Sequence, residues 1–168
     1  MESGAPHPEE VQRATDVCLR LLAVRARSRH ELLTALERKG FAPPVREAAV
    51  AQVVGWGYLD DERFARERAA ALLGRGRYGP RAVLRRLEAH GLSHELAQEA
   101  VAAASGAVDF DAEAAARQVL EQRGLAGRPL EPKEAARAGR LLFSRGFSED
   151  VIRRVLGDAT LEPSGPDD

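Results

Sequence analysis

The sequence has few of the residues on which several protein classes depend. Cys18 is the one cysteine, and aromatic residues make up 5% of the chain. A single cysteine excludes an internal disulfide framework and a metal site made of several thiolates. No apolar run approaches the roughly 18 residues of a membrane span, and the N-terminus lacks the apolar segment of a signal peptide. We therefore expect a protein that does not enter a membrane and remains in the cytoplasm.

Alternating β-branched runs of strand length are also absent. Alanine, leucine, arginine and glutamate dominate the composition, and all four are strong helix formers. Helix starts and stops are well marked: Ser28 and Glu31 have the spacing of a capping box, and Asp60 is placed as an N-cap. Gly55 is predicted to end a helix in the left-handed conformation, with Trp56 folding back over the last turn. The fold class is therefore predicted to be all-α.

One pattern recurs three times along the chain. Glycines at 40, 91 and 146 each follow a leucine by four positions and precede a large apolar residue. A glycine that caps a helix in this way lets the next residue pack on the leucine one turn back. We predict a tandem array of three degenerate three-helix repeats, which bury their apolar faces by stacking. The predicted segments are a flexible N-terminus (1–7), the repeats (8–57, 58–106 and 107–158) and an acidic disordered tail (159–168).

The sequence offers no catalytic constellation, so we do not expect an enzyme. The glycines of residues 74–79 lack the preceding strand and the Gly-Lys-Ser/Thr ending of a phosphate loop. His90 and His94 are four apart, but a helix break lies between them, and this argues against a shared metal ion. Trp56, Leu59 and Phe64 are interpreted as packing between the first and second repeats. No cofactor is expected.

Charge is unevenly distributed although the formal net charge is −1. Residues 63–88 contain eight arginines and two acids, whereas residues 92–116 contain five acids and no lysine or arginine. This asymmetry fits an anionic partner, and it equally fits a solvated helix surface. The helix predicted to begin at Pro80 places Arg81 and Arg85 on one face, where they join Arg75 and Arg77 beside an exposed Tyr78. Such a surface suits nucleic acid or an acidic protein groove, and the residues alone do not separate the two.

Three blocks resemble the RecX regulatory proteins. The first is Ser28-Arg29-x-Glu31-Leu32 with Leu36, Lys39 and Gly40. The second is Gly57-Tyr58-Leu59-Asp60-Asp61-x-x-Phe64-Ala65. The third is Gly79-Pro80-x-x-Val83-x-x-x-Leu87-x-x-x-Gly91-Leu92. The similarity covers residues 15–103 well and the third repeat in outline. Two departures are Arg77-Tyr78, where the family commonly carries lysine, and His90, which replaces the usual basic residue.

The resemblance implies an elongated, curved molecule that binds in the groove of a RecA recombinase filament on single-stranded DNA. Such binding would most often inhibit the recombinase, ATPase and strand-exchange activity in DNA repair, and the chain would act as a monomer. The alternatives are a helical-repeat module that binds single- or double-stranded DNA directly, and a helical scaffold for another acidic partner. The candidate partner-binding residues are Arg25, Arg27, Arg29, Lys39, Tyr58, Arg75, Arg77, Tyr78, Arg81 and Arg85.

Overall fold

The structure, a computed structural model, describes residues 5–157, and all regular secondary structure in this range is helical. This confirms the all-α prediction. No helix in the range is long and apolar enough to cross a bilayer. The predictions for residues 1–4 and for the tail at 159–168 lie outside the described residues. The helices are α1 (Pro8–Val24), α2 (Arg29–Arg38), α3 (Pro43–Gly55), α4 (Asp61–Gly74), α5 (Pro80–Ala89), α6 (His94–Ala107), α7 (Ala112–Glu121), α8 (Pro132–Ser144) and α9 (Glu149–Leu156).

The helix starts follow the predicted caps. At α2, the Ser28 hydroxyl accepts a hydrogen bond from the Glu31 backbone N–H, and the Glu31 carboxylate accepts one from Ser28 N–H. Asp60 accepts a hydrogen bond from Arg63 N–H at 3.1 Å. Asp61 acts outside its own helix, since its carboxylate accepts from Arg29 N–H at 2.8 Å. Each bond satisfies a backbone donor that the helix itself leaves free.

The helix ends confirm the three repeated glycine stops. Gly40, Gly91 and Gly146 have φ angles of +85°, +81° and +86°, a region that residues with a Cβ rarely adopt. After α8, Phe147 N–H donates to the Leu142 carbonyl oxygen at 3.1 Å, the long hydrogen bond of a Schellman turn. These stops depend on local backbone bonds, and this is why the sequence pattern locates them.

Helix α3 ends at Gly55 as predicted, but the prediction that Gly55 adopts the left-handed conformation is wrong. Gly55 is the last residue of α3, and the left-handed residue is Gly57, with φ +76°. Tyr58 N–H donates to the Val53 carbonyl and Gly57 N–H to the Val54 carbonyl, so the Schellman turn closes two residues later than predicted. Either glycine could end the helix locally. With the later stop, both Val53 and Leu59 lie in the buried core.

The described helices divide into two compact units. The first contains the chain up to Ala65 together with Leu87–Ala97, and the second contains Arg66–Arg86 together with the chain from Gln98. The division falls within α4, α5 and α6, so the middle three helices contribute to both units. The predicted segment limits at 8–57, 58–106 and 107–158 therefore stay a prediction.

In the first unit, α1 packs against α3, and α2 packs against both. Leu32, Leu36 and Val50 are fully buried in this core. The interpretation of Trp56 as a packing residue is wrong, because 54% of it is exposed, whereas Leu59 and Phe64 are buried. Trp56 follows a helix end that is stabilised by backbone hydrogen bonds, and its side chain is not needed to complete that turn.

In the second unit, α9 packs against α7 and α8. Phe147, Leu142 and Ile152 are among its largest fully buried side chains. Alanines occupy several core positions on α7 and α8, and their small side chains let the helix backbones approach each other. The unit therefore provides a packed support for the turn after α8, which includes Arg145 and Gly146.

Candidate partner-binding surfaces

The arginine-rich loop before α5 is held against the turn after α8. Gly79 N–H donates to the Arg145 carbonyl oxygen at 2.7 Å, and Arg81 N–H donates to the Gly146 carbonyl oxygen at 3.2 Å. The Arg145 guanidinium returns a hydrogen bond to the Arg77 carbonyl oxygen at 3.2 Å. These bonds join residues more than sixty positions apart in the sequence, so the loop has a defined conformation in the second unit.

Both glycines at this contact are required by the close approach of the two backbones. A Cβ on Gly79 would meet the Gly146 carbonyl, and a Cβ on Gly146 would overlap the backbone of Ala82. Neither obstacle is a flexible side chain that could move aside. The position of the loop therefore depends on glycine at both residues.

Tyr78 lies between two arginines and is not the exposed tyrosine that was predicted. It is partly buried, with the Arg86 guanidinium 4.1 Å and that of Arg145 5.8 Å from its ring centroid. Cation–π contacts of this kind stabilise the ring and fix the two charges beside it. Neither Arg86 nor Arg145 is among the candidates predicted from the sequence. The recurrence of a basic or titratable residue before each repeat glycine was the available signal for Arg145.

Four arginines around this loop are exposed and carry unpaired charge. Within residues 5–157, Arg75, Arg77, Arg81 and Arg85 make no ion pair with any carboxylate. We call these four residues the arginine face. Guanidinium groups that are not neutralised internally are available to phosphate or carboxylate, which they bind through paired N–H donors.

Two of the four basic candidates of the first unit are engaged in internal ion pairs. Arg25 pairs with Glu31 at 3.0 Å, and Arg29 forms an ion pair with Glu47. Arg27 is partly buried, and its Nε atom has no hydrogen-bond partner in the part of the chain that the structure describes. Lys39 is exposed and makes no ion pair with a described residue. Of these four, Lys39 is the one whose charge is both accessible and unpaired.

His90 is part of an internal contact. Its Nδ1 atom lies 2.5 Å from the Glu31 carboxylate, and its ring makes an edge contact with Phe64. Burial alone would raise the pKa of Glu31, but hydrogen bonds from His90 and Arg25 outweigh it and hold that pKa below the ordinary value. His94 has a separate partner, Glu88, at 2.6 Å.

Tyr58 and Trp56 form an exposed aromatic pair on the first unit. Their exposed fractions are 59% and 54%, and the ring centroids are 6.5 Å apart in an edge-to-face arrangement. Val54 beside them in the sequence is also exposed, at 47%. Exposed aromatic residues of this type are common anchors in protein interfaces and stacking platforms for bases. The structure therefore adds Trp56 to the predicted candidate Tyr58.

Comparison with known families covers nearly the whole described chain. Three family models match: RecX first three-helix domain at residues 14–52, second at 60–101 and third at 111–156. The regulatory protein RecX of Stenotrophomonas maltophilia (strain R551-3) is 37% identical over 145 residues, 86% of this chain and 83% of the relative. That of Halorhodospira halophila is 36% identical over 148 residues, 86% of each chain.

Solved structures support the same fold. The crystal structure of RecX from Lactobacillus salivarius aligns with a TM-score of 0.72 at 15% identity, covering 92% of this chain and 99% of that one. A second crystal structure of a regulatory protein RecX aligns with a TM-score of 0.74 at 16% identity, covering 87% and 72%. Together with the family models, these alignments confirm the prediction of tandem three-helix repeats.

Proposed function

The chain belongs to the RecX family of regulatory proteins, and on this premise we propose that it binds a RecA recombinase filament on single-stranded DNA. Binding restrains the recombinase, ATPase and strand-exchange activity of the filament in DNA repair. The chain acts as a regulator in the cytoplasm, without a catalytic step of its own.

The arginine face is the observation that supports this proposal most directly. Arg75, Arg77, Arg81 and Arg85 are exposed and unpaired with any described acid, although the chain has 26 acidic residues. Arg75 and Arg77 lie in the loop, and Arg81 and Arg85 lie on α5. Backbone hydrogen bonds tie the loop and the start of α5 to Arg145 and Gly146, so binding need not order the backbone there. Unpaired guanidinium groups carried on a held backbone fit a filament that presents phosphates and acidic side chains.

The remaining candidates differ in how available they are. Lys39 and the aromatic pair of Tyr58 and Trp56 are accessible, and we propose them as secondary contacts. Arg25 and Arg29 would first have to leave Glu31 and Glu47. Breaking an internal ion pair subtracts from the free energy of binding, so these two residues contribute less than the arginine face.

Charge reversal in the arginine face tests the proposal. The double variant Arg77→Glu/Arg81→Glu should lose inhibition of the ATPase of RecA filaments on single-stranded DNA. Both side chains are exposed, so far-UV circular dichroism of the variant should match that of the unchanged protein. Full inhibition by a well-folded double variant would refute the assignment of the arginine face.

A matched control separates a specific surface from a general effect of net charge. Arg123 and Arg140 are also exposed arginines of the second unit. Their reversal to glutamate alters the net charge by the same amount as the test pair. The control variant should inhibit as the unchanged protein does, whereas an equal loss in both variants would indicate that long-range charge alone matters.

Direct nucleic-acid binding is the competing function, because arginines beside a tyrosine also suit a DNA strand. It predicts tight binding of bare single-stranded DNA near physiological ionic strength, with an affinity that falls steeply with salt. The overall charge of −1 weighs against this function. Strong binding to bare DNA without any effect on the recombinase would favour it, and binding to neither would favour a scaffold for another acidic partner.

A further inference from the structure

The same helix-end contact occurs twice within the chain. In the first unit, the Ser28 hydroxyl at the start of α2 donates to the His90 carbonyl oxygen after α5, at 2.5 Å. In the second unit, Gly79 N–H at the start of α5 donates to the Arg145 carbonyl oxygen after α8, at 2.7 Å. Each contact brings a helix N-terminus to the C-terminal end of another helix. The partial charges of the two helix ends are opposite, and the contact is therefore favourable.

The glycine that follows each accepting carbonyl is covered in both contacts. A Cβ on Gly91 would overlap His30, and a Cβ on Gly146 would overlap Ala82. The next residue is buried in both cases: Leu92 is 6% exposed and Phe147 is fully buried. A docked helix start thus accompanies a covered glycine and a buried apolar residue.

The equivalent turn after α2 is open. We call residues 39–41 the α2 turn. Lys39 is the C-cap of α2, and its carbonyl oxygen accepts no hydrogen bond within residues 5–157. A Cβ on Gly40 would meet nothing within 4 Å, although its φ of +85° matches those of Gly91 and Gly146. Phe41 is only partly buried. The α2 turn therefore has the backbone of the two occupied turns but lacks their covering helix.

We propose that the α2 turn docks the N-terminus of an α-helix from a partner protein, with glycine or serine at the N-cap. The turns after α5 and α8, whose C-cap carbonyls each accept a hydrogen bond from another helix start, show which N-cap residues fit. Their N-cap residues are Ser28 and Gly79, each of which offers a hydrogen-bond donor to the C-cap carbonyl. The partner's first turn would cover Gly40 and Phe41. The proposal does not depend on the arginine face or on the recombinase.

A second copy of this chain does not fit as the occupant. Its corresponding helix start is that of α8, where the N-cap is Glu131. The Glu131 backbone N–H is already bonded to the Glu134 carboxylate at 3.2 Å. Glu131 also has a long side chain. At the equivalent position of α5, even a Cβ on Gly79 would meet the Gly146 carbonyl oxygen. A helix start that continues the repeat pattern at the α2 turn would therefore come from another protein.

A peptide that copies an occupied contact tests the proposal. The probe is a synthetic peptide of residues 76–89, with a hydrocarbon staple joining positions 85 and 89, both exposed in the protein. It is titrated into the full-length ¹⁵N-labelled chain and followed by amide chemical shifts. We expect saturable shifts at Gly40 and Phe41 and none at residues 145–147, because the internal contact there has a far higher effective concentration.

A matched peptide with Gly79→Val controls for charge, since it carries the same arginines as the probe, in which the staple replaces Arg85. The valine side chain would meet the carbonyl oxygen of the turn glycine, as a Cβ on Gly79 would meet that of Gly146. We therefore expect binding to weaken by about tenfold or more. Equal binding of the two peptides would overturn the proposal, as would the absence of saturable shifts at millimolar peptide. Concentration-dependent shifts at residues 39–41 and 131–133 in the protein alone would assign the turn to a second copy and overturn the choice of occupant.

Discussion

Two glycines with the same backbone conformation provide a test of the contact that holds the arginine face. Gly40 and Gly146 both end a helix, with φ angles of +85° and +86°. A Cβ on Gly40 would point into open space, whereas a Cβ on Gly146 would overlap the backbone of Ala82. Gly40→Ala therefore measures the cost of left-handed alanine alone. Gly146→Ala adds the cost of disturbing the contact.

The difference between the two variants follows from the contacts. Left-handed alanine costs about 1–2 kcal/mol at either position. At Gly146 the overlap forces a backbone shift, which typically costs about 1–3 kcal/mol. The shift also weakens the bonds from Gly79 and Arg81, each of which contributes about 1 kcal/mol. Gly146→Ala should therefore lower the free energy of unfolding by about 2–5 kcal/mol more than Gly40→Ala.

Urea denaturation followed by far-UV circular dichroism measures this difference. With a slope of roughly 2 kcal/mol per molar, the midpoint for Gly146→Ala should lie roughly 1–2.5 M below that for Gly40→Ala. Gly146→Ala should also weaken inhibition of the recombinase more than Gly40→Ala does, because the arginine-bearing loop loses its support. Equal unfolding free energies for the two variants would refute the structural role of the contact.

Two further predictions concern single titratable groups. Hydrogen bonds from Arg128 and then from Glu131 N–H lower the pKa of Glu134 from 4.5 to about 2. Its contribution to stability is therefore present above pH 4.5 and is lost as the pH falls towards 2. A ¹³C NMR titration of Arg128→Gln should show the Glu134 midpoint returning towards 4.5, and an unchanged midpoint would contradict the role of Arg128. Burial raises the pKa of the Cys18 thiol to about 11, so Cys18 should resist alkylation at pH 8 until urea unfolds the chain, and rapid alkylation of the native protein would contradict its burial.

The sequence predicted features that depend on neighbouring residues. The Ser28–Glu31 capping box and the stops at Gly40, Gly91 and Gly146 arise from hydrogen bonds within a few residues. Their residue types and spacing are therefore visible in the sequence. The left-handed conformation predicted for Gly55 is found at Gly57 instead. Either glycine suits the local geometry, and the choice between them involves the burial of Leu59.

The features that the sequence did not predict depend on contacts between distant segments. Nothing near Tyr78 indicates that Arg145 lies against its ring. The ion pair of Arg29 with Glu47 joins two helices and removes a charge that the sequence alone counts as available. Trp56 is an apolar residue beside a helix stop, and only its surroundings show that it stays exposed. The candidate site was thus predicted by residue type, while the availability of each charge required the structure.

If this chain regulates a recombinase filament, it should change the ATPase rate of RecA on single-stranded DNA. The rate is measured at increasing concentrations of the full-length chain and at several salt concentrations. We predict a saturable fall in the rate that becomes weaker as salt screens the arginine face. An ATPase rate that stays unchanged over a wide range of protein concentration would contradict the account.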